Sequence, residues 1–278
     1  MQYEFFLING FAERRASGAP LAVFVVDALP DDATMQQLAY QLNAPESCFV
    51  TRAADAMHTV SPQFALPFSG LSLLAAATAL QQAGEPFPAT LPGRYGPIQL
   101  SHDGEACWFR AWANRTRPAR AGTMELATAL GIDARDVAGA PLFVDTGLEQ
   151  LVVPVRTRQA VLQAAPHPAL LAQLAGNGQQ IAQLALWHRD GEIAMLRFFG
   201  SDSFSIYEDF GAGGAVANIG AWLLASGCAL PDRIKVEQGH TIHRPYTRLS
   251  VLHLQLGTDR AISVGGRFWV VGSGSVSL

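Results

Sequence analysis

Glu46 is the residue of this chain best placed for proton-transfer chemistry. It stands in the run Asn43-Ala44-Pro45-Glu46-Ser47-Cys48-Phe49-Val50, directly before an apolar stretch with strand character. A carboxylate at the mouth of a buried strand has its charged form disfavoured, which moves its pKa up toward neutrality, where it can take and return a proton. The same pattern also fits a Glu exposed in a turn, the commoner fate of that residue type. A second candidate is the Gly-rich turn Gly211-Ala212-Gly213-Gly214, which superficially matches a dinucleotide fingerprint. The segment before it, Phe204-Ser205-Ile206-Tyr207-Glu208-Asp209-Phe210, makes a poor buried first strand, and no second nucleotide-binding half follows. The histidines His58, His102, His167, His188, His240, His243 and His253 fall in no ligand spacing, so no metal site is expected. Ser69 and the other serines lack the GxSxG elbow of a hydrolase. Cys48, Cys107 and Cys228 form neither a CxxC pair nor an even disulfide set, and Cys48 and Cys228 read as core residues.

The elements that must position these residues follow from apolar patterning. Short apolar runs predict strands at 3–9, 21–27, 49–51 and 57–60, with later ones near 97–101, 106–112, 142–144 and 150–155. Asp31 and Asp32 suit a helix start, and Met35, Leu38, Ala39 and Leu42 form its apolar stripe. Further helices are expected at 123–130, 157–164 and 168–174. Two helices are of another kind. Gly70 to Leu80 and Ala215 to Ala225 are apolar on nearly every face, so each must be enclosed on all sides, and each follows a Gly-containing turn. In the second half, 193–199 reads as a strand before an acidic turn at Glu208-Asp209, and strands follow near 233–237, 248–256, 261–264 and 267–271. The polar, basic segment Ala113 to Gly122 reads as a domain linker. Two enclosed helices aiming their N-termini into a shared cleft would put two positive dipole ends beside one site, which suits an anionic substrate.

Composition bounds the remaining classes. With 278 residues, 49% hydrophobic and 15% charged, the chain has apolar surface enough for two cores and little tendency to disorder. A net charge of −4 leaves no large basic patch for phosphates, so nucleic-acid binding is not expected. The N-terminal residues Met1 to Phe6 read as a first strand and not as a signal peptide, and Gly211 to Leu230 as a buried helix and not a membrane span. A cytoplasmic location is the matching expectation.

In order, the landmarks Gly18-Ala19-Pro20, the Glu46 run, Ser61-Pro62-Gln63-Phe64-Ala65-Leu66-Pro67-Phe68-Ser69-Gly70, Arg197-Phe198-Phe199, Glu208-Asp209-Phe210-Gly211-Ala212-Gly213-Gly214-Ala215, Gln238-Gly239, Arg244-Pro245 and Val264-Gly265-Gly266 span nearly the whole chain. In this order and spacing the sequence resembles the phenazine-biosynthesis PhzF-like isomerases, which share the diaminopimelate epimerase fold. The resemblance implies an α+β fold of two pseudo-symmetric lobes, each a curved mixed β-sheet or barrel wrapped around a central α-helix. It places an N-terminal lobe at 1–115, completed by a C-terminal strand at about 262–278, and a C-terminal lobe at 122–261. It implies a cofactor-independent and metal-free isomerase that moves a proton on a small carboxylate-bearing metabolite of secondary metabolism, acting as a homodimer. Glu46 takes the family's proton-shuttle position and Asp209 its second acidic position. Gly70, Leu71, Ser72, Gly213 and Gly214 fall at the two helix starts that bind substrate. The chain departs from the family where Leu71 stands for its histidine, Ala65 for an acid, and Ala212-Gly213-Gly214 for its Thr-Gly-Ser turn. Those departures keep two alternatives open: a non-catalytic descendant that binds a small molecule or protein, and a pocket that promotes a rearrangement or cyclisation by shape and desolvation.

Overall fold

The structure, a computed structural model, describes residues 2–112, 115–179, 181–209, 211–241 and 248–278. Met1, Ala113, Asn114, Phe210, His243, Arg244 and Pro245, which enter the sequence reading, lie outside the described residues.

The first half of the chain carries strands β1 (Gln2–Gly10) and β2 (Ala19–Val26), helix α1 (Asp32–Leu42), strands β3 (Ser47–Thr51), β4 (Met57–Val60) and β5 (Ala65–Leu66), helix α2 (Gly70–Gln82), and strands β6 (Thr90–Leu91), β7 (Ile98–His102) and β8 (Cys107–Arg110). The second half opens with β9 (Arg115–Pro118), helix α3 (Thr123–Leu130), β10 (Leu142–Asp145), β11 (Glu149–Pro154), and helices α4 (Arg158–Gln163) and α5 (Pro168–Ala175). It continues with β12 (Ala182–Asp190), β13 (Ile193–Ser201), β14 (Ile206–Asp209), helix α6 (Gly213–Ala225), β15 (Asp232–Gln238), β16 (Ser250–Leu256), β17 (Ile262–Gly266) and β18 (Phe268–Ser277).

Among the described residues these strands form two mixed sheets. One runs β18-β1-β2-β3-β4-β5; the other runs β6-β7-β8-β17-β16-β15-β13-β12-β11-β10-β9, with β14 added to β13. The sheets exist to cover α2 and α6. Helix α2 buries every residue from Gly70 to Leu80 except Thr78, packing on β1, β2, β3, β8 and β18. Helix α6 is buried on nearly all faces against β9, β10, β11, β16 and β17. A helix without a polar face is stable only in such an enclosure. Because β8 reaches α2 while its neighbour β17 covers α6, hydrogen bonding runs unbroken from one enclosed helix to the other. No helix among the described residues is long and apolar enough to cross a membrane.

Several segments differ from the sequence reading. Arg115–Pro118, inside the expected linker, is an edge strand on β10. All four of its residues are exposed, so it lacks the alternation that betrays a half-buried strand, and its proline is tolerated because an edge needs no second ladder. Arg117 anchors it with a two-pronged bond to Glu149 at 2.8 and 2.8 Å and lies 3.7 Å from the Phe143 ring centroid. The unread strand β12 begins Ala-Gln-Leu-Ala-Leu, good helix formers forced extended by pairing with β11 and β13 on either side. The acidic turn read at Glu208-Asp209 is instead the end of the hairpin strand β14, paired with β13 from Ile206 to Asp209. Strand β18 also outruns the apolar run read near 267–271: it continues to Ser277 and pairs with β1 as far as Gln2↔Ser277.

Candidate active site

The N-termini of the two enclosed helices meet. A methyl group built on Gly70 would come within 3.1 Å of the Gly213 carbonyl carbon and of the Gly214 nitrogen, and one built on Gly213 within 3.3 Å of Gly70. Glycine on both sides lets the two helix ends lie this close; a side chain at either position would have to push them apart by a few tenths of an ångström. Two positive dipole ends pressed together are favourable only with negative charge beside them, and the chain supplies Glu46 and Asp209.

Glu46 immediately precedes β3, where its carbonyl accepts from Ala22 N. Its carboxylate reaches the start of α2. Ser69 is the N-cap of that helix and accepts from Ser72 N at 3.2 Å, which turns its own hydroxyl hydrogen toward Glu46. The Ser69 and Ser72 hydroxyls both donate to Glu46 Oε2, each at 2.6 Å. Among the described residues Oε1 has no hydrogen-bond partner, so the carboxyl is held through one of its two oxygens. Burial pushes the Glu46 pKa up to about 7; the negative charge of Asp209 adds to the rise, and the two serine hydroxyls oppose it. Two carboxylates with unlike surroundings at one site is the usual arrangement of an acid–base centre.

Asp209 ends β14, where Gly211 N donates to its Oδ1 at 2.8 Å. The fully buried Gln238 of β15 braces the turn: its amide nitrogen donates to the Asp209 carbonyl, and its oxygen accepts from Ala212 N at 3.1 Å. Beside Asp209, Glu208 is neutralised by Arg197 in a two-pronged pair at 2.9 and 2.7 Å.

Glu46 and Asp209 line a cavity of about 810 Å³, within the range of small-molecule sites. Its walls come from both halves of the chain: Ala19, Pro20, Phe68 and Leu71 from the first, Leu148, Gln150, Gln183, Phe198, Tyr207 and Ala212 from the second. Of the residues singled out at the helix starts, Leu71 faces the cavity. Gly70 and Gly213 instead form the helix–helix contact, and Ser72 serves Glu46. Leu71 packs toward Gly10 and Gly211, so it closes the first helix start with hydrocarbon. Ala65 is exposed on β5 and outside the lining. Among the described residues no three of His, Cys, Asp or Glu come together as metal ligands.

Sequence reasoning passed over the role of Ser69 as a donor to Glu46 and the polar wall of Gln150, Gln183 and Tyr207. Signals for the wall were present. Gln183 interrupts an otherwise apolar strand run and Gln150 opens another, and a buried polar residue is more informative than a buried apolar one. Tyr207 is two residues before Asp209 on the same strand and so shares its face.

The phenazine biosynthesis-like protein family model matches residues 8–274. An uncharacterized isomerase of Pasteurella multocida is 30% identical over 282 residues, covering 99% of this chain and 94% of the relative. An uncharacterized isomerase of Pseudomonas aeruginosa is 30% identical over 183 residues, covering 64% of this chain and 67% of its own. Among solved structures, a PhzF-family phenazine biosynthesis protein of Bacillus anthracis superposes with a TM-score of 0.81 at 20% identity over the whole of both chains. A predicted epimerase of Pseudomonas aeruginosa gives 0.79 at 24% identity over 99% of each chain. The architecture is therefore the α+β fold of those proteins, and the match along nearly the entire sequence shows that this chain belongs to the phenazine biosynthesis-like, PhzF-type isomerase family.

Proposed function

We propose that the protein is a cofactor-independent isomerase that moves a proton on a small carboxylate-bearing metabolite, with Glu46 as the proton shuttle. The observation that carries this reading is the state of Glu46: a carboxyl at the cavity, held through one oxygen by two serine hydroxyls, with a pKa of about 7. At neutral pH such a group is present in both forms, so it can abstract a proton as base and return it elsewhere as acid. Burial keeps that pKa high and the charge of Asp209 adds to it, while Asp209 orients substrate from the facing lobe. The paired helix N-termini stabilise negative charge developing on the substrate as the proton leaves. Because Leu71 adds an apolar surface where the family places a histidine, the substrate is less polar than the family's usual one. A role in secondary-metabolite biosynthesis and a homodimeric, cytoplasmic form belong to the same proposal.

One observation favours a second reading. Leu71 removes a protonatable group from the site, and its loss fits a descendant that binds a small molecule or protein without turnover.

The test is to incubate the wild-type protein in heavy water with a broad set of small carboxylic metabolites and to follow carbon-bound deuterium by mass spectrometry. The expected result is incorporation into at least one compound, with a rate that rises from acid pH and levels off above about 7 as Glu46 becomes the base. Binding with no exchange in any compound contradicts the isomerase and supports the binding descendant.

A further inference from the structure

The polar wall of the cavity is the outer end of a hydrogen-bond chain that starts in the core. At its root Asn218, on α6 and fully buried, accepts at Oδ1 from Thr146 N at 2.9 Å and from the Thr146 hydroxyl at 2.7 Å. Its amide nitrogen donates to the Leu148 carbonyl at 3.0 Å and to Gln150 Oε1 at 2.8 Å. Gln150 Nε2 donates to Gln183 Oε1 at 3.2 Å, and Gln183 Nε2 donates to the Tyr207 oxygen at 3.4 Å.

The direction of this chain is fixed. An amide can in principle be turned end for end. A backbone N–H can only donate and a backbone carbonyl can only accept, so Thr146 and Leu148 settle the orientation of Asn218. The NH₂ of Asn218 then demands the oxygen of Gln150, the NH₂ of Gln150 demands the oxygen of Gln183, and the NH₂ of Gln183 demands the oxygen of Tyr207. The Tyr207 hydrogen has to point elsewhere. Among the described residues no acceptor takes it, and Tyr207 lines the cavity together with Gln150 and Gln183. Every link polarises the next in the same sense, which strengthens the terminal donor.

The ring is placed as deliberately as its hydroxyl. Tyr207 lies across Gly200, its partner in the β13–β14 pairing, so closely that a methyl group on Gly200 would sit 2.0 Å from the ring carbon bearing the hydroxyl and 2.2 Å from its oxygen. Burial holds the phenol up at about 12, with Asp209 and Glu46 contributing, so the group stays a donor throughout the working range.

We infer that Tyr207 is a substrate-binding hydrogen-bond donor, delivered by the Asn218–Gln150–Gln183 chain, and that the ligand of this cavity presents an oxygen acceptor, carbonyl, carboxylate or hydroxyl, to it. The inference rests on the reading of the cavity as the substrate site. Gln150, Gln183 and Asn218 are positioning residues, and Gly200 is the seat of the ring.

The test uses two ligands of one shape in the full-length protein, para-fluoroacetophenone and para-fluoro-α-methylstyrene, the second carrying a methylene where the first has its oxygen. Affinities are read by fluorine NMR titration. The wild type is expected to prefer the ketone. Tyr207→Phe keeps the ring on Gly200 and should lower ketone affinity about fivefold, the worth of one net hydrogen bond, without changing the alkene. Gly200→Ala, which displaces the ring but leaves the hydroxyl on the protein, should erase the same preference. Gln183→Leu should reduce it, because the hydroxyl is then free to turn. An unchanged ketone affinity in Tyr207→Phe, or an equal loss for both ligands, overturns the inference. If neither ligand binds the wild type while deuterium exchange is found with another compound, the KM of that compound decides: unchanged in Tyr207→Phe, the inference falls and the isomerase reading stands; raised about fivefold, the inference stands. If the ligands behave as expected and no compound exchanges, the isomerase reading falls and the inference stands.

Discussion

Glu46→Gln is expected to lower proton exchange on the protein's substrate by about 10²–10⁴-fold, the usual contribution of one general acid–base residue, while leaving substrate bound. The same change should make the protein more stable at alkaline pH. The sign follows from the direction of the shift. Glu46 in the folded chain holds its proton up to about 7, above its ordinary 4.5. Its contribution to stability is therefore complete below about 4.5 and is lost as pH rises through about 7, because the folded state must then carry a buried charge that the unfolded chain carries in water. A rise of that size corresponds to ~3 kcal/mol at the limit. Gln is neutral at every pH and keeps nearly the shape of the protonated acid. Denaturant unfolding at about pH 9 should show the variant ~1–3 kcal/mol more stable than wild type, with the gap closing toward pH 4. Glutamine at this position accepts from the two serine hydroxyls less well than a carboxylate, which places the gain toward the lower part of that range. A variant less stable than wild type at pH 9 would mean that Glu46 is a structural ion and not a group held ready for proton transfer.

The second large effect concerns Arg197, which holds the strand bearing Tyr207 and Asp209 to the body of the protein. Its guanidinium is almost wholly buried, pairs with Glu208 through two bonds, and donates from its remaining nitrogen to the carbonyls of Val161, Leu162 and Ala164 at the end of α4. The group also lies 4.6 Å from the Phe199 ring centroid. Arg197→Met removes these donors together and leaves Glu208 charged, partly buried and with the Thr241 hydroxyl as a remaining donor at 2.7 Å. Breaking one side of such a pair costs ~3–5 kcal/mol. The double variant Arg197→Met, Glu208→Leu should recover a large part of this loss, because it removes the stranded charge as well as its partner. Urea unfolding of the two variants checks both statements. A single variant within about 1 kcal/mol of wild type would mean that the pair is loosely hydrated, as surface pairs are.

Much of the scaffold can be read in the sequence because its signals are local. Asp31 caps α1 by accepting from Thr34 N, and Met35, Leu38 and Ala39 are its buried stripe, as their spacing requires. The two all-apolar helices state by composition alone that something must enclose them. What the sequence withholds is partnership across the chain. Ser72 stands in a helix start and could bind a ligand; only the fold directs its hydroxyl to Glu46, 26 residues away. The glycines at 70 and 213 read as anion-binding turns, and the fold uses them to bring two helix ends into contact. The polar wall is farther still from local signals, since its direction is set by Thr146 and Leu148 in a loop that contributes no motif. The strands β9, β12 and β14 were hidden for a related reason: each is extended because of its neighbours, against a composition that favours helix, loop or turn.

The central claim is that Glu46 carries an exchangeable proton near neutral pH because it is buried beside a second carboxylate. Carbon NMR titration of the Glu46 carboxyl, with the resonance assigned by its absence in Glu46→Gln, measures this directly. The predicted midpoint is about 7 in the wild type, falling in Asp209→Asn as the neighbouring negative charge is removed. A midpoint near 4.5 that does not move in Asp209→Asn would contradict the account.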